Sequence, residues 1–385
     1  MKELLAELIG MKGHPTARSW LTAVGPGLYR VALVWCQAAT LLITWPLWQV
    51  HRSPPMLPAV GLPPLDLAPM LLFSLVMVLM SPVRGMLIHT ALIAYAVLAD
   101  QTRLQPEVIS LVILLWGSLP YAGAKTIART HLVALWFFAG LNKLLSPGFH
   151  VALAPALLAA IAPQAPEWLS SQVGLLIALT EMSVGVAAVV PATRRIAAVG
   201  AFCLGAGTLV ELMFGLHGNV SVWPWNAALA VSGFALILPW RGCMRASLAV
   251  SPVLIRIACV ALLVTPVGFY VGRIDAYLAH NLYTANTATA TSTAFSTDET
   301  WAAFNVPLPP EHRLFHQWFV SVCQEGDTLT IRDPRWWYEM QGRSETLIRC
   351  APTLLPAPEP HVRVERHPDN PWWTRLRSTP SAERP

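Results

Sequence analysis

Long apolar stretches recur along the chain from Leu28 to Gly272, separated by short polar connections. Of the 385 residues, 55% are hydrophobic and 12% are charged, whereas a soluble domain carries about a quarter charged residues. A helix needs roughly 20 apolar residues to cross the hydrocarbon of a bilayer. The pattern therefore predicts a polytopic membrane protein with about nine spans. The predicted spans are 28–49, 66–82, 85–100, 107–122, 130–146, 172–191, 196–214, 223–239 and 252–272.

The predicted fold is an all-α polytopic membrane bundle followed by a small α+β extracytoplasmic C-terminal domain. Residues 1–27 are interpreted as a cytoplasmic amphipathic segment rather than a signal peptide, because glutamates interrupt their apolar part. The transmembrane domain then covers 28–272, the C-terminal domain 273–370, and a disordered tail 371–385. The sequence leaves open where, around Ser81–Arg84, the second span ends and the third begins.

The distribution of basic residues predicts the orientation of the chain. With the N-terminus inside, the connections assigned to the cytoplasm contain Lys2, Lys12, Arg18, Arg84, Lys125, Arg129, Arg194, Arg195, Arg241 and Arg245. The opposite loops hold Arg52, Arg103, Lys143 and Arg273. This bias follows the positive-inside rule and puts the C-terminal domain outside, in the periplasm if the membrane is a bacterial inner membrane. Since the charge of +5 is then mostly topological, the sequence predicts membrane lipids as partners and no nucleic acid.

Short patterns in the polar C-terminal region predict its elements. Residues 282–295 are rich in Thr and Ala and predict extended chain, while 328–332 alternates as a strand does, and so do Val362 and Val364. Residues 311–322 predict a helix with one apolar face, formed by Leu314, Phe315, Trp318, Phe319 and Val322. Four tryptophans fit either an anchor at the membrane interface or the core of this domain: Trp336, Trp337, Trp372 and Trp373.

Two of the six cysteines, Cys323 and Cys350, lie in this polar region. A domain outside the cytoplasm is in an oxidising environment, so the two are candidates for a disulfide. The alternative is a pair of free thiols, because the sequence does not determine pairing.

The segment FFAGLNKLLSPGF, Phe137–Phe149, contains a lysine where a span is still apolar. A cation there is costly, so it either serves a function or extends its amine to the interface. In the functional interpretation Lys143 is a desolvated base that opens onto a cavity in the outer leaflet. The apolar stretch 151–161 is too short to cross and either lies in the interface or folds back to shield that site.

Other polar residues are predicted to reach the same leaflet. Glu211 ends the seventh predicted span, and with Lys143 it forms the predicted catalytic pair. The predicted substrate-binding residues are Asn142, Arg103, Glu181, His217, Trp225 and Asn226. Glu181 lies deeper, near the middle of its span, where a structural hydrogen bond is an equal alternative. Arg103 alternatively caps a loop or meets a lipid phosphate.

The sequence predicts no metal site. His312 and His316 have the spacing of two ligands on a helix, but no third ligand lies near them in the sequence. Phosphate-binding loops, dinucleotide fingerprints and hydrolase motifs are also missing from the sequence.

Three segments resemble the vitamin K-dependent gamma-carboxylases and the related bacterial proteins with a horizontally transferred transmembrane domain. They are FFAGLNKL at Phe137–Leu144, DQTRLQP at Asp100–Pro106 and WPWNAALA at Trp223–Ala230. The similarity extends over about residues 85–300. It implies a helical membrane domain with an outward C-terminal region and a quinone or quinol as a lipid-soluble cofactor.

The resemblance also implies a role for one residue. In the carboxylases the lysine of this segment deprotonates vitamin K hydroquinone, and the match falls on Lys143. The chain has Asn142 where the carboxylases have a second lysine, and Glu211 stands where they have a histidine. It is also shorter than a carboxylase. A quinol-dependent activity is more compatible with these differences than carboxylation of protein glutamates.

Two hypotheses of function follow. In the first, the protein is a membrane enzyme whose lysine base acts on a quinol-like or lipid-borne substrate in the outer leaflet. In the second, it is a non-enzymatic scaffold or assembly partner that docks through its C-terminal domain. The sequence identifies no protein partner for either.

Overall fold

The structure, a computed structural model, describes residues 20–215, 219–296, 301–350 and 362–366. Its first part is a helical bundle, whose elements are α1 (Trp20–Ile43), α2 (Ala68–Met80), α3 (Pro82–Ala99), α4 (Pro106–Gly117), α5 (Ala122–Leu144), α6 (Ala154–Ile161), α7 (Glu167–Val189), α8 (Arg194–Val210), α9 (Trp223–Ser232), α10 (Met244–Ala249) and α11 (Val253–Val264). The predicted N-terminal segment lies mostly, and the predicted tail 371–385 entirely, outside the described residues.

The lengths of these helices limit which of them cross a bilayer. Among the described residues, five apolar helices are long enough: Pro82–Ala99, Glu167–Val189, Pro191–Phe214, Val220–Ile237 and Val253–Val271. A sixth candidate is the pair Ala122–Leu144 and Phe149–Ile161, which is bent by 83°. Three apolar helices at the other predicted positions are shorter: Gly27–Ile43, Ala68–Met80 and Pro106–Gly117. The chain is thus a mostly helical membrane protein.

Large apolar side chains cover the outside of this bundle. Trp35 is 71% exposed, Phe73 66% and Ile196 69%. In water, exposure of these side chains would cost about 25 cal/mol per Å² of apolar surface. We therefore expect them to face lipid.

The second and third predicted spans divide at Ser81. α2 ends at Met80 and α3 begins at Pro82, whose missing N–H and fixed φ suit the first turn of a helix. A Cβ on Gly85 would overlap the backbone of Val78, so glycine allows the two helices to pack closely beside the break.

α5 and α7 pack antiparallel through two glycines. A Cβ built on Gly140 would lie 2.5 Å from the Ala178 carbonyl oxygen, and one on Gly185 would lie 2.8 Å from the Phe137 nitrogen. Small residues let helix backbones approach closely in membranes. This contact sets the register in which side chains of α5 face those of α7.

The C-terminal part is an antiparallel sheet in the order β1-β2-β3-β4. Its elements are β1 (Thr289–Ser292), α12 (His312–Val322), β2 (Thr328–Arg332), α13 (Trp336–Met340), β3 (Glu345–Cys350) and β4 (Val362–Arg366). The strands predicted at 328–332 and around Val362 are confirmed, and the extended region 282–295 contains β1. Leu329 pairs with Ile348, and Ile348 pairs with Val364.

The apolar face of α12 forms the core of this part. Leu314, Phe315, Trp318 and Phe319 are buried. Val322, the last residue of the helix and the last of the predicted apolar face, is 37% exposed. Trp337 is half-buried. The side chain of Trp336, and Trp372 and Trp373, lie outside the described residues.

The C-terminal part docks on one end of the bundle. Gln101, between α3 and α4, donates from Nε2 to Gln317 Oε1 at 3.2 Å and accepts from Arg313 Nε at 2.8 Å. Asn305 Nδ2 donates to the Ile43 carbonyl oxygen at 2.8 Å. The loops after α1 and α3 therefore share an end with this part.

Cys323 and Cys350 form a disulfide, with their Cα atoms 6.2 Å apart. It joins the end of α12 to the end of β3 and closes a separation of 27 residues. The bond therefore restricts the unfolded chain between residues 323 and 350, a loop that contains β2, α13 and β3.

Replacing both cysteines with alanine should destabilise the C-terminal part by about 3 to 4 kcal/mol, the effect of freeing a loop of this length. Limited proteolysis against temperature measures the change. Cys243→Ala, at an exposed free thiol in the bundle, is the control. Equal protease resistance of the two variants would contradict the expectation.

Glu311 connects the C-terminal part to the chain after α11. Its Oε1 accepts from the Ala276 N–H at 2.6 Å. Burial and the nearby Asp275 raise the pKa of the Glu311 carboxyl to about 7, although Arg335 and Arg313 oppose the shift. The folded protein thus holds this proton at a pH where the unfolded chain has lost it.

The raised pKa predicts a pH dependence. Stabilisation by the protonated Glu311 is complete below its unfolded pKa and is lost as pH rises from about 4.5 to about 7, at roughly 1 kcal/mol per pH unit. Glu311→Gln keeps an acceptor for the Ala276 N–H and removes the titration of the carboxyl. The melting temperature of the variant minus that of the wild type should therefore increase from pH 5 to pH 8. The exposed Glu345→Gln is the control. A constant difference across this range would contradict the assignment.

Candidate functional site

Lys143 lies in the last turn of α5, where the chain bends sharply. After Leu144 the backbone enters a π-helical turn, Phe149–Leu153, and continues as α6. Ser146 Oγ accepts from the Phe149 N–H at 3.2 Å, and a ring nitrogen of His150 lies 3.0 Å from the Leu144 carbonyl oxygen. α6 is bent by 83° from α5 and packs against α7, a geometry that fits both alternatives for 151–161, in the interface or folded back.

Glu181 is the acidic partner of Lys143. The Lys143 Nζ donates to Glu181 Oε2 at 2.7 Å, and the lysine is 8% exposed. The Phe149 ring centroid lies 5.9 Å from the same nitrogen. The pair follows from the α5–α7 register, in which Gly140 faces Ala178 and Met182. It is an ion pair with little access to water.

The pair opens onto a cavity of about 360 Å³, here called the lysine cavity. α6 and the turn before it form one apolar wall, with Leu153, Leu157, Leu158 and Ile161. The remaining polar lining comes from Thr208, Glu211, Asn226, His280 and Tyr283. The cavity is mostly apolar with a few convergent polar groups, as small-molecule sites usually are.

Glu211 begins a second π-helical turn, Glu211–Gly215. Its Oε1 is buried and has no hydrogen-bond partner among the described residues. Such a group is costly to leave unpaired, by about 1 to 3 kcal/mol. The cavity thus holds a second carboxyl besides the one paired with Lys143.

Besides Lys143, four of the predicted site residues line the cavity, whereas Asn142 and Arg103 make other contacts. Lys143, Glu181, Glu211, Trp225 and Asn226 line it together, and Asn226 Nδ2 also donates to the Val222 carbonyl oxygen at 3.0 Å. His217 lies outside the described residues.

Asn142 and Arg103 do not line the lysine cavity. Asn142 donates to the Ala279 carbonyl oxygen at 2.9 Å and accepts from the Tyr270 hydroxyl at 2.7 Å. Arg103 donates from Nε to Leu47 and from Nη2 to Gln49, at 2.8 and 2.7 Å, and lies 3.7 Å from Asp100. Both are positioned to hold loops, and Arg103 fits the loop-capping alternative.

A second cavity, the histidine cavity, has a volume of about 300 Å³ and shares Trp225 and His280 with the first. A ring nitrogen of His131 lies 2.7 Å from Ser110 Oγ, and the His131 and His280 rings are 5.4 Å apart. Sequence reasoning missed these residues. His131 stands in an apolar helix without a motif, and His280 lies beyond the last predicted span.

The residues after α11 also belong to the wall of the lysine cavity. Leu282 and Tyr283 line it although they follow the last predicted span. The segment 273–288 therefore packs with the bundle. A truncation at residue 273 would remove part of the site together with the sheet.

His312 makes structural contacts and does not belong to a group of metal ligands among the described residues. A ring nitrogen lies 2.8 Å from Asp333 Oδ2, and the ring stacks on Tyr338 with centroids 5.0 Å apart. Hydrogen bonds from Arg335 and His312 lower the pKa of Asp333 despite its burial. Within the described residues, no three His, Cys, Asp or Glu side chains are arranged to hold a metal ion.

The three segments that carry the resemblance contribute to these cavities. Phe137–Leu144 supplies Ala139 and Lys143 to the lysine cavity, and Trp223–Ala230 supplies Trp225, Asn226 and Leu229. The segment Asp100–Pro106 lines the histidine cavity instead, through its last three residues. Comparisons with protein-family models, curated proteins and solved structures found no match to this chain.

Proposed function

We propose that the protein is a membrane enzyme whose lysine cavity binds a quinol-like or lipid-borne molecule and ionises its hydroxyl group. The observation that carries the proposal is the Lys143–Glu181 pair, 2.7 Å between Nζ and Oε2, on the wall of an apolar cavity. An ion pair inside a membrane span is costly and typically marks a functional site. The Lys143–Glu181 pair lies on the wall of a cavity large enough for a small ligand.

The pair supplies a proton acceptor. Lys143 passes its proton to Glu181, and the free amine takes the proton of the ligand hydroxyl. The O–H bond breaks, and an oxyanion remains beside the Lys143 ammonium and the protonated Glu181. Both side chains of the resting pair are largely buried, with 11% and 15% of their surface exposed. The new ion pair compensates the oxyanion charge.

The composition of the cavity favours a lipid-soluble ligand. α6 presents leucine and isoleucine side chains, so an aromatic ring or an alkyl chain would bury apolar surface there. The resemblance to quinol-dependent carboxylases suggests the same ligand class and the same lysine. We do not extend the proposal to glutamate carboxylation.

The proposed orientation has nine spans, a cytoplasmic N-terminus and a periplasmic C-terminal domain in a bacterial inner membrane. Two observations support it. Arg129 and Arg194 both approach the Trp240 ring, at 5.3 and 4.1 Å, so basic residues assigned to the cytoplasm share one end. The Cys323–Cys350 disulfide belongs in an oxidising compartment.

The test is the spectrum of a bound phenol. The probe is 2-naphthol, whose anion absorbs at longer wavelength than its neutral form. Wild type in lipid nanodiscs at pH 7 should shift the bound probe towards the anion spectrum. The double variant Lys143→Met/Glu181→Met should not, and Lys125→Met, at the other end of α5, should behave as wild type.

Two outcomes would overturn the proposal. One is a bound probe that stays neutral in the wild type, and the other is an equal shift in the double variant.

A further inference from the structure

Two residues in contact, of which Tyr283 lines the lysine cavity, have left-handed backbone conformations. φ is 44° at Asn219 and 52° at Tyr283. His280 and Ala285, in the same segment, have φ values of 56° and 53°. The left-handed region costs a residue with a Cβ roughly 1–2 kcal/mol. Residues in sparsely populated backbone regions cluster at active sites and ligand clamps, and they persist only where the surrounding structure holds them.

A short hydrogen-bonded array fixes the Tyr283 hydroxyl. Ser221 Oγ, which is fully buried, donates to Asn219 Oδ1 at 2.7 Å. Asn219 Nδ2 in turn donates to the Tyr283 hydroxyl oxygen. With its amide orientation set by Ser221, Asn219 presents a donor to Tyr283, so the tyrosine hydroxyl acts there as an acceptor.

The contact with Asn219 leaves the hydrogen of that hydroxyl unused, and Tyr283 lines the lysine cavity. Burial raises the pKa of the Tyr283 phenol, so the group stays protonated and keeps its donor. Lys143 reaches the cavity from α5, whereas Tyr283 belongs to the segment after α11. The two donors approach a ligand from different elements.

We propose that Tyr283 determines ligand specificity: its hydroxyl donates to a second oxygen of the ligand, one that stays un-ionised while the first meets Lys143 and Glu181. The inference rests on the proposed function and narrows its substrate class. The lysine cavity then prefers a molecule with two separated oxygens on an apolar frame, as in a quinol, over one with a single hydroxyl. Asn219 is the positioning residue for this contact.

The experiment compares two probes of one frame, 2-naphthol and 2,6-dihydroxynaphthalene, by equilibrium binding in nanodiscs. Wild type should bind the diol about tenfold more tightly, the effect of one net hydrogen bond. Tyr283→Phe should lose this preference, so that the ratio of its affinities for the two probes falls to about one. Asn219→Ala, which leaves Tyr283 in place, should reduce the preference. Tyr95→Phe is the control, since that hydroxyl donates to the Pro63 carbonyl oxygen and does not line the cavity.

The outcomes separate this inference from the proposed function. Binding that depends on Lys143 and Glu181, with the diol preference unchanged in both Tyr283→Phe and Asn219→Ala, overturns the inference alone. Equal binding of both probes by the wild type also overturns the inference alone. If the wild type binds neither probe, or if Lys143→Met/Glu181→Met binds them as the wild type does, the proposed function fails and the inference with it.

Discussion

Lys143→Met is expected to lower the free energy of unfolding by about 3 to 5 kcal/mol, because it leaves Glu181 as an unpaired carboxylate at an apolar cavity. The same change should abolish ionisation of a bound phenol. The lysine is 8% exposed, so water compensates the lost partner poorly. Thermal unfolding in nanodiscs measures the first effect.

The double variant separates the two effects. Lys143→Met/Glu181→Met replaces a buried ion pair with apolar side chains of similar length, which is often neutral for stability. It should regain most of the melting temperature lost in Lys143→Met, while ionisation of the probe stays absent. If the double variant were no more stable than the single one, the two residues would not form an energetically coupled pair.

Gly140→Ala should destabilise the bundle by about 1 to 3 kcal/mol, the usual effect of overpacking. The new methyl carbon would lie 2.5 Å from the Ala178 carbonyl oxygen and 2.6 Å from the Met182 nitrogen. Backbone atoms cannot move aside, so α5 and α7 must separate. We therefore expect this variant also to weaken the Lys143–Glu181 contact one turn away and to reduce binding of 2-naphthol.

Gly27→Ala is the matched control for this change. A Cβ on Gly27, in α1, meets nothing within 4 Å. Alanine is favoured over glycine in a helix by roughly 1 kcal/mol, so this variant should be neutral or slightly more stable. Equal effects of the two alanines on melting temperature would show that α5 and α7 do not pack through Gly140.

The position of the site could be predicted from the sequence, but the partner of its lysine could not. A cation in an apolar stretch is visible in the sequence, and Lys143 does line the cavity. Glu211 was predicted to accompany it, and Glu181 was placed deeper. Glu181 is nevertheless the residue at 2.7 Å.

The reason is the geometry of the segment after α5. The π-helical turn and α6 stack beyond the end of α5, and a Cβ on Gly174 would lie 2.7 Å from His150 Nδ1. The first half of α7 therefore packs against that turn, and the residue of α7 that lies opposite Lys143 is Glu181. A fold-back of this kind depends on tertiary contacts, which hydropathy does not report.

The fold, like the site, could be predicted from the sequence only in part. Apolar stretches predict where the helices of the bundle lie, since burial in lipid or protein determines them. Tyr283, unlike the Gly218–Asn219 pair, carries no turn signature in the sequence, and the tertiary structure holds it in the left-handed region. The part of the cavity wall that lies beyond the last predicted span, with His280 and Tyr283, was missed for that reason.

If the lysine cavity holds a lipid-soluble molecule bearing a hydroxyl group, mass spectrometry of small molecules extracted from the purified protein should detect it. We expect a quinol-like or lipid-borne compound with the wild type and with Lys125→Met, and its loss from the folded Lys143→Met/Glu181→Met variant. The same compound in equal amount from the double variant, or no such compound from the wild type, would contradict it.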